Sequence, residues 1–169
     1  MERASVRDIV ERYEAGEPLT MLTAYDAPMA ELVDAGGVDM ILVGDSAGDN
    51  HHGYESTLPL TLAEALSNTA AVDRAVEDAM VIADLPFLSY GTSMADSVKN
   101  AGRFIKESGA DAVKIETPPD GNVTIEIVDR LTELGMPVVG HVGLTPQRIP
   151  QLGGAFVQGR DHSRSGCTP

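Results

Sequence analysis

The sequence is poor in cysteine, aromatic side chains and long apolar runs, and each scarcity excludes a class of protein. The single cysteine, Cys167, cannot form an internal disulfide, so we expect a reducing, cytoplasmic location. With no Trp, 3 Phe and 4 Tyr, the core must be built mainly from aliphatic side chains. No apolar run approaches the roughly 20 residues of a membrane-spanning helix. The first residues also lack the apolar segment of a secretory signal.

Basic side chains are scarce as well, with 12 Lys and Arg against 26 Asp and Glu and a formal charge of −14. A surface of this sign repels nucleic acids and anionic membranes, so we expect neither as a partner. Two interpretations of the acidity stay open. It is either a solvated surface that aids solubility or an adaptation to high salt, where self-repulsion is screened.

Five short apolar runs predict buried strands, at residues 20–24, 40–44, 80–83, 112–115 and 137–142. Most follow a glycine or another turn residue that ends a helical segment. We predict those helices at residues 5–15, 28–35, from 61, 93–108 and 122–134, with a polar loop after the second strand. Because the runs are apolar on both faces, they favour a parallel sheet covered by helices.

Polar side chains stand at the ends of these strands: Asp26, Asp45, Asp84, Glu116 and His141. The carboxyl ends of parallel strands meet on one face of the sheet, where α/β proteins carry their sites. Three carboxylates gathered there would suit a hard divalent cation such as Mg²⁺. A lone strand-end aspartate more often caps a helix, and we expect that role for Asp26. Lys114 lies inside an apolar run and needs an anionic partner, either Glu116 or a bound carboxylate.

Polar residues at every strand end favour a (β/α)₈ barrel over a doubly wound sheet, and no Gly-x-Gly-x-x-Gly follows the first strand. The sequence provides about five βα units, whereas a complete barrel takes about 250 residues. Residues 1–160 are therefore predicted to form the N-terminal part of one barrel domain. Residues 161–169 show no apolar periodicity and are interpreted as an anomalous tail.

Six segments occur in an order typical of one enzyme family: Thr23-Ala24-Tyr25-Asp26, Val43-Gly44-Asp45-Ser46, Ser56-Thr57-Leu58-Pro59, Ala83-Asp84-Leu85-Pro86-Phe87, Val113-Lys114-Ile115-Glu116 and Gly140-His141-Val142-Gly143-Leu144-Thr145-Pro146-Gln147. Together they resemble the ketopantoate hydroxymethyltransferases over about residues 5–160. The resemblance implies a Mg²⁺-dependent (β/α)₈ barrel of the phosphoenolpyruvate/pyruvate type. It also implies transfer of a hydroxymethyl group from 5,10-methylenetetrahydrofolate to 3-methyl-2-oxobutanoate, through a metal-stabilised enolate. The product is 2-dehydropantoate, in pantothenate biosynthesis, and the enzyme is expected to be a homo-oligomer acting on small molecules.

The resemblance also implies roles for particular residues. The family's metal-binding acids match Asp45, Asp84 and Glu116. Its contacts to the 2-oxo acid match Asp45, Ser46, Asp84 and Lys114, and His141 matches a residue that lines the active site. The family's general base, a glutamate on a later strand, has no counterpart in this sequence. The catalytic base is therefore unknown here, and the chain alone is not expected to complete the reaction.

Two alternatives stay open from the sequence. One is another metal-dependent enzyme that makes or breaks C–C bonds of 2-oxo acids, of the isocitrate lyase or phosphoenolpyruvate mutase type. Such an enzyme would need its own loop signature, and no Lys-Lys-Cys-Gly-His segment occurs. The other is an inactive, truncated fragment.

Overall fold

The computed structural model describes residues 3–118 and 122–158, in which strands and helices alternate along the chain. The elements are α1 (Val6–Glu14), β1 (Met21–Thr23), α2 (Ala27–Ala35), β2 (Met40–Val43), α3 (Ala47–Asn50), α4 (Leu62–Asp73), β3 (Met80–Asp84), α5 (Met94–Ser108), β4 (Ala112–Glu116), α6 (Asn122–Glu133), β5 (Val138–His141), a 3₁₀ turn (Pro146–Arg148) and α7 (Ile149–Leu152). No helix in these ranges is long and apolar enough to cross a membrane.

The strands form one parallel sheet in the order β1-β2-β3-β4-β5. Each βα unit thus adds its strand beside the previous one, as in the wall of a (β/α)₈ barrel. In the described residues β1 and β5 are the edges of the sheet, and Leu22 on β1 is 54% exposed. The predicted part-barrel is therefore confirmed in its strand order and direction.

The two faces of the sheet have different roles. One face, with Val81, Val113 and Ile115, packs against the helices, where Phe104 of α5 is fully buried. The other face carries Met80 and Ile82, which pack with Ile9 of α1. Successive side chains of a strand alternate between the two faces of the sheet. The polar side chains near the ends of β3 and β4 therefore lie on the same face as Met80 and Ile82.

The helix boundaries follow from capping side chains that the sequence displays. Thr61 accepts a hydrogen bond from the Glu64 backbone, while the Glu64 side chain accepts one from the Thr61 backbone, and together they form a capping box. Asp26 caps α2 by accepting from the Met29 backbone, so its expected structural role is confirmed. At the end of α5, Gly109 adopts φ +76°, a conformation that favours glycine.

The structure differs from the prediction in two connecting segments. The region after β2, predicted as a polar loop, begins with the short helix α3, in which Ala47 and Gly48 are buried. The region after β5 contains the 3₁₀ turn and α7, which were not predicted. Both segments are too short to show helical periodicity, so no local pattern marks them. The predicted tail at 161–169 lies outside the described residues.

Candidate active site

Three carboxylates that the sequence singled out are buried at the carboxyl ends of neighbouring strands. Asp45 follows β2, Asp84 ends β3 and Glu116 ends β4, and they are 5%, 3% and 3% exposed. Asp84 is tied to the first of them, because its Oδ2 accepts from the Asp45 backbone N–H at 3.4 Å. The convergence expected from a parallel sheet thus brings all three into one buried region.

Lys114 forms its ion pair with Asp84, not with Glu116 as the sequence suggested. Lys114 and Glu116 lie two residues apart on β4 and point in the same direction, but the register places Asp84 directly opposite Lys114 on β3. The ammonium therefore contacts the Asp84 Oδ2 atom across the strands. The predicted need for an anionic partner was right, but of the two partners expected, Glu116 was wrong, because Asp84 takes its place.

The site carries more negative charge than its single ammonium balances. Burial raises the pKa of Asp84 to about 7, which the nearby Lys114 opposes and the charge of Asp45 reinforces. Burial likewise raises the pKa of Glu116 to about 7; a hydrogen bond from the Gln147 backbone opposes this rise, and the Asp45 and Asp84 charges add to it. These carboxyl groups are therefore poised to take up either protons or a cation near neutral pH.

Two buried carboxylate oxygens lack partners within the described residues. Asp84 Oδ1 and Glu116 Oε2 are inaccessible to solvent and make no hydrogen bond to any residue that the structure describes. Buried polar atoms are nearly always paired, so unpaired oxygens in a region of excess negative charge fit a hard cation. No three His, Cys, Asp or Glu side chains of residues 3–118 and 122–158 are already arranged to hold a metal ion. Lys114 holds one oxygen of Asp84, and Gln147 holds one of Asp45.

Ser46 lies at the start of α3, beside Asp45. Its hydroxyl does not cap the helix, and it is hydrogen bonded instead to the Tyr25 hydroxyl at 2.9 Å. Tyr25 is buried just after β1, so this contact joins the first two βα units. The Ser46 hydroxyl is thus held in place by Tyr25, one residue after Asp45.

His141 ends β5 opposite Glu116 in the sheet register. Its Nδ1 atom is buried, lies 3.9 Å from Glu116 Oε1 and makes no hydrogen bond among the described residues. Burial lowers the pKa of His141 below its ordinary value, and the Lys114 charge adds to this effect. The imidazole is thus kept neutral near pH 7, in a position that lines the site.

Gln147 is a buried site residue to which the sequence analysis assigned no role. It lies in the 3₁₀ turn after β5, and its side-chain amide donates to Asp45 Oδ2 at 2.8 Å. Its backbone N–H donates to Glu116 Oε1 at 3.3 Å. The available signal was its place in the last of the six family-like segments.

The parallel sheet, its helices and the polar residues at its strand ends define part of an α/β barrel. A solved phosphonopyruvate hydrolase, in complex with oxalate and Mg²⁺, superposes with a TM-score of 0.65 at 15% identity, covering 91% of this chain and 56% of that one. A 2,3-dimethylmalate lyase, described as a member of the phosphoenolpyruvate mutase/isocitrate lyase superfamily, gives a TM-score of 0.60 at 19% identity, covering 84% of this chain and 53% of that one. At such identities the likeness shows the fold alone.

Sequence comparison then narrows this class to one family. The family model described as ketopantoate hydroxymethyltransferase matches residues 3–166. A 3-methyl-2-oxobutanoate hydroxymethyltransferase of Halobacterium salinarum is 55% identical over 157 residues, covering 93% of this chain and 56% of that protein. One of Syntrophus aciditrophicus is 56% identical over 145 residues, covering 86% and 52%. The chain belongs to the ketopantoate hydroxymethyltransferase family, and it spans about half the length of the curated relatives it matches.

Proposed function

We propose that this chain carries the metal-binding and 2-oxo-acid-binding half of a 3-methyl-2-oxobutanoate hydroxymethyltransferase. The reaction moves the one-carbon unit of 5,10-methylenetetrahydrofolate onto C3 of 3-methyl-2-oxobutanoate. One water is consumed, the C3 proton is lost, and 2-dehydropantoate and tetrahydrofolate are released. Membership of the family supports this proposal, as do the six ordered segments that carry the resemblance.

The metal in this proposal is Mg²⁺, held by Asp45, Asp84 and Glu116. The observation that carries it is the pair of buried oxygens, Asp84 Oδ1 and Glu116 Oε2, which have no hydrogen-bond partner among residues 3–118 and 122–158 and lie among mutually repelling carboxylates. Carboxylate oxygens are the ligands that Mg²⁺ prefers. When bound, Mg²⁺ would stabilise the negative charge that develops on the 2-oxo acid as its C3 proton leaves.

The other residues of the site bind and orient the substrate. Lys114, in the middle of β4, supplies a positive charge that binds the substrate carboxylate. Asp84 keeps the Lys114 ammonium in place through its ion pair. Ser46 supplies a hydroxyl whose direction Tyr25 restrains. His141 presents a neutral imidazole at the edge of the site. The glutamate expected as the base for C3 stays a prediction from the resemblance.

The proposal also covers the oligomeric state of the protein and its location in the cell. We propose a homo-oligomer on the strength of the resemblance, and a cytoplasmic location because the single cysteine suits a reducing compartment. The alternative, a C–C bond enzyme of the isocitrate lyase type, is supported only by fold likeness at 15–19% identity. Identity of 55% to named hydroxymethyltransferases favours the transferase.

The proposal is tested in a barrel of full family length. Residues 3–158 are joined to the C-terminal remainder of the Halobacterium salinarum relative. Two rates are measured with Mg²⁺: exchange of the C3 proton of 3-methyl-2-oxobutanoate in D₂O, by NMR, and transfer of label from methylenetetrahydrofolate. We expect both rates to fall at least tenfold in Asp84→Asn and to be unchanged in Asp129→Asn, an exposed control on α6. C–C bond cleavage of a 2-oxo acid without folate-dependent transfer would favour the alternative enzyme class.

A further inference from the structure

Gln147 connects the 3₁₀ turn after β5 to the site residues that follow β2 and β3. It is 5% exposed, and its Nε2 donates both to Asp45 Oδ2 at 2.8 Å and to the Leu85 carbonyl oxygen at 2.9 Å. Its Oε1 accepts from the Tyr90 hydroxyl at 3.0 Å. Three hydrogen bonds, one from Asp45 after β2 and two from the connection between β3 and α5, therefore hold one amide group.

The chemistry of these partners determines which way the amide faces. A carboxylate and a backbone carbonyl can only accept, so the nitrogen of Gln147 must face Asp45 and Leu85. Its oxygen then faces Tyr90, which has to donate. Tyr90 is suited to this because burial and the neighbouring site carboxylates raise the pKa of its hydroxyl. The reversed amide would place an oxygen against two other oxygens.

The same residue also holds a second carboxylate of the site. The Gln147 backbone N–H donates to Glu116 Oε1, while Glu116 Oε2 makes no hydrogen bond in the described part of the chain. Gln147 thus restrains Asp45 and Glu116 without adding a positive charge. A lysine or arginine side chain in its place would also hold Asp45, but it would neutralise the charge that attracts a cation.

We propose that Gln147 is a positioning residue for the cation site. It fixes the directions of the Asp45 and Glu116 carboxylates, and Tyr90 fixes the direction of the Gln147 amide. Partners of this kind orient ligands without touching the metal, and their loss typically costs about 10–100-fold in metal affinity. The inference rests on the proposed function where it concerns the cation, and on the hydrogen bonds alone where it concerns the amide.

The cation part is tested with Mn²⁺, whose binding to the 169-residue chain is measured by electron paramagnetic resonance. Gln147→Leu removes the amide at similar volume, and Tyr90→Phe removes only the hydroxyl that orients it. Gln151→Leu, an exposed glutamine that bonds to Arg148, is the matched control. We expect Gln147→Leu to raise the Mn²⁺ dissociation constant about 10–100-fold. Tyr90→Phe should raise it less, and the control should leave it unchanged.

The melting temperature of each metal-free variant separates positioning from simple structural support. A variant that melts earlier but binds Mn²⁺ as tightly as the wild type would overturn the inference. A variant that loses affinity at a nearly unchanged melting temperature supports it. If Gln147→Leu fails to fold, the Mn²⁺ affinity and melting temperature of Tyr90→Phe still test the inference.

The amide part is tested without metal, by the solvent exchange of the side-chain NH₂ protons. We expect slow exchange at Gln147, faster exchange in Tyr90→Phe, and rapid exchange at Gln151. Free exchange at Gln147 would overturn the inference whatever the metal result. If wild-type chain binds no Mn²⁺ while the Gln147 protons are protected, the metal proposal fails and the positioning contact stands.

Discussion

Glu116→Gln should stabilise the metal-free chain at pH 8 while sharply reducing its stabilisation by Mg²⁺. Glu116 is 3% exposed and one of its oxygens has no hydrogen-bond partner among the described residues. Ionising it in that environment costs free energy, which is why its pKa rises from 4.5 to about 7. Glutamine has almost the same shape, keeps an oxygen for the Gln147 backbone N–H and carries no charge.

The size of this effect follows from the pKa. At 1.36 kcal/mol for each pH unit, the rise from 4.5 to about 7 corresponds to about 3 kcal/mol. The sign follows from linkage: the folded chain holds a proton on Glu116 that the unfolded chain has released. The penalty is absent below pH 4.5, grows as the pH rises to about 7, and is complete above that. At pH 8, Glu116→Gln should therefore melt roughly 6–12 °C above the wild type.

The assay is thermal unfolding at pH 8 and pH 4.5, with EDTA or with excess Mg²⁺. Glu126→Gln, on the exposed side of α6, is the control and should match the wild type in all four conditions. At pH 4.5 the advantage of Glu116→Gln should vanish. Mg²⁺ at 100 times its dissociation constant should stabilise the wild type by about 2.7 kcal/mol and the variant by far less. Equal destabilisation of Glu116→Gln at both pH values would refute the reasoning.

Further predictions concern the metal, the substrate, a helix cap and the surface. Calorimetry should show sharply weaker Mg²⁺ binding in Asp84→Asn, because a charged hard ligand becomes neutral; unchanged affinity would remove Asp84 from the ligand set. In the barrel of full family length, Lys114→Ala should raise KM for 3-methyl-2-oxobutanoate far more than KM for methylenetetrahydrofolate, and the opposite pattern would contradict its role. Thr61→Ala should cost about 1 kcal/mol in urea unfolding by breaking the α4 capping box, whereas no loss would show that the cap contributes little. Raising KCl from about 0.1 M to 1 M should raise the melting temperature, since screening weakens repulsion within a chain of net charge −14; a fall would contradict this.

The sequence predicted the order and type of the main elements because local signals mark them. Glycine and capping side chains end and begin the helices, as at Gly109 and Thr61, and apolar runs mark the strands. The strand ends fell within one or two residues of the prediction, and the carboxylates converged because all strands are parallel. The short helix α3 was missed, because a single turn leaves no periodic pattern to detect.

The pairings inside the site depend on contacts that no local pattern contains. Lys114 pairs with Asp84 because the register of β3 and β4 sets them side by side, whereas sequence spacing pointed to Glu116. Gln147 bonds to Asp45 across 102 positions of sequence, through a turn whose shape comes from packing after β5. Because glutamine is uncharged, nothing in the sequence marks Gln147 as a site residue in the way that an acid or a lysine is marked. In the folded chain its neutral side-chain amide holds Asp45 without adding a positive charge, while its backbone N–H holds Glu116. A site of this kind can thus be located from its acids, but the groups that orient those acids emerge only when strand register and turn packing are known.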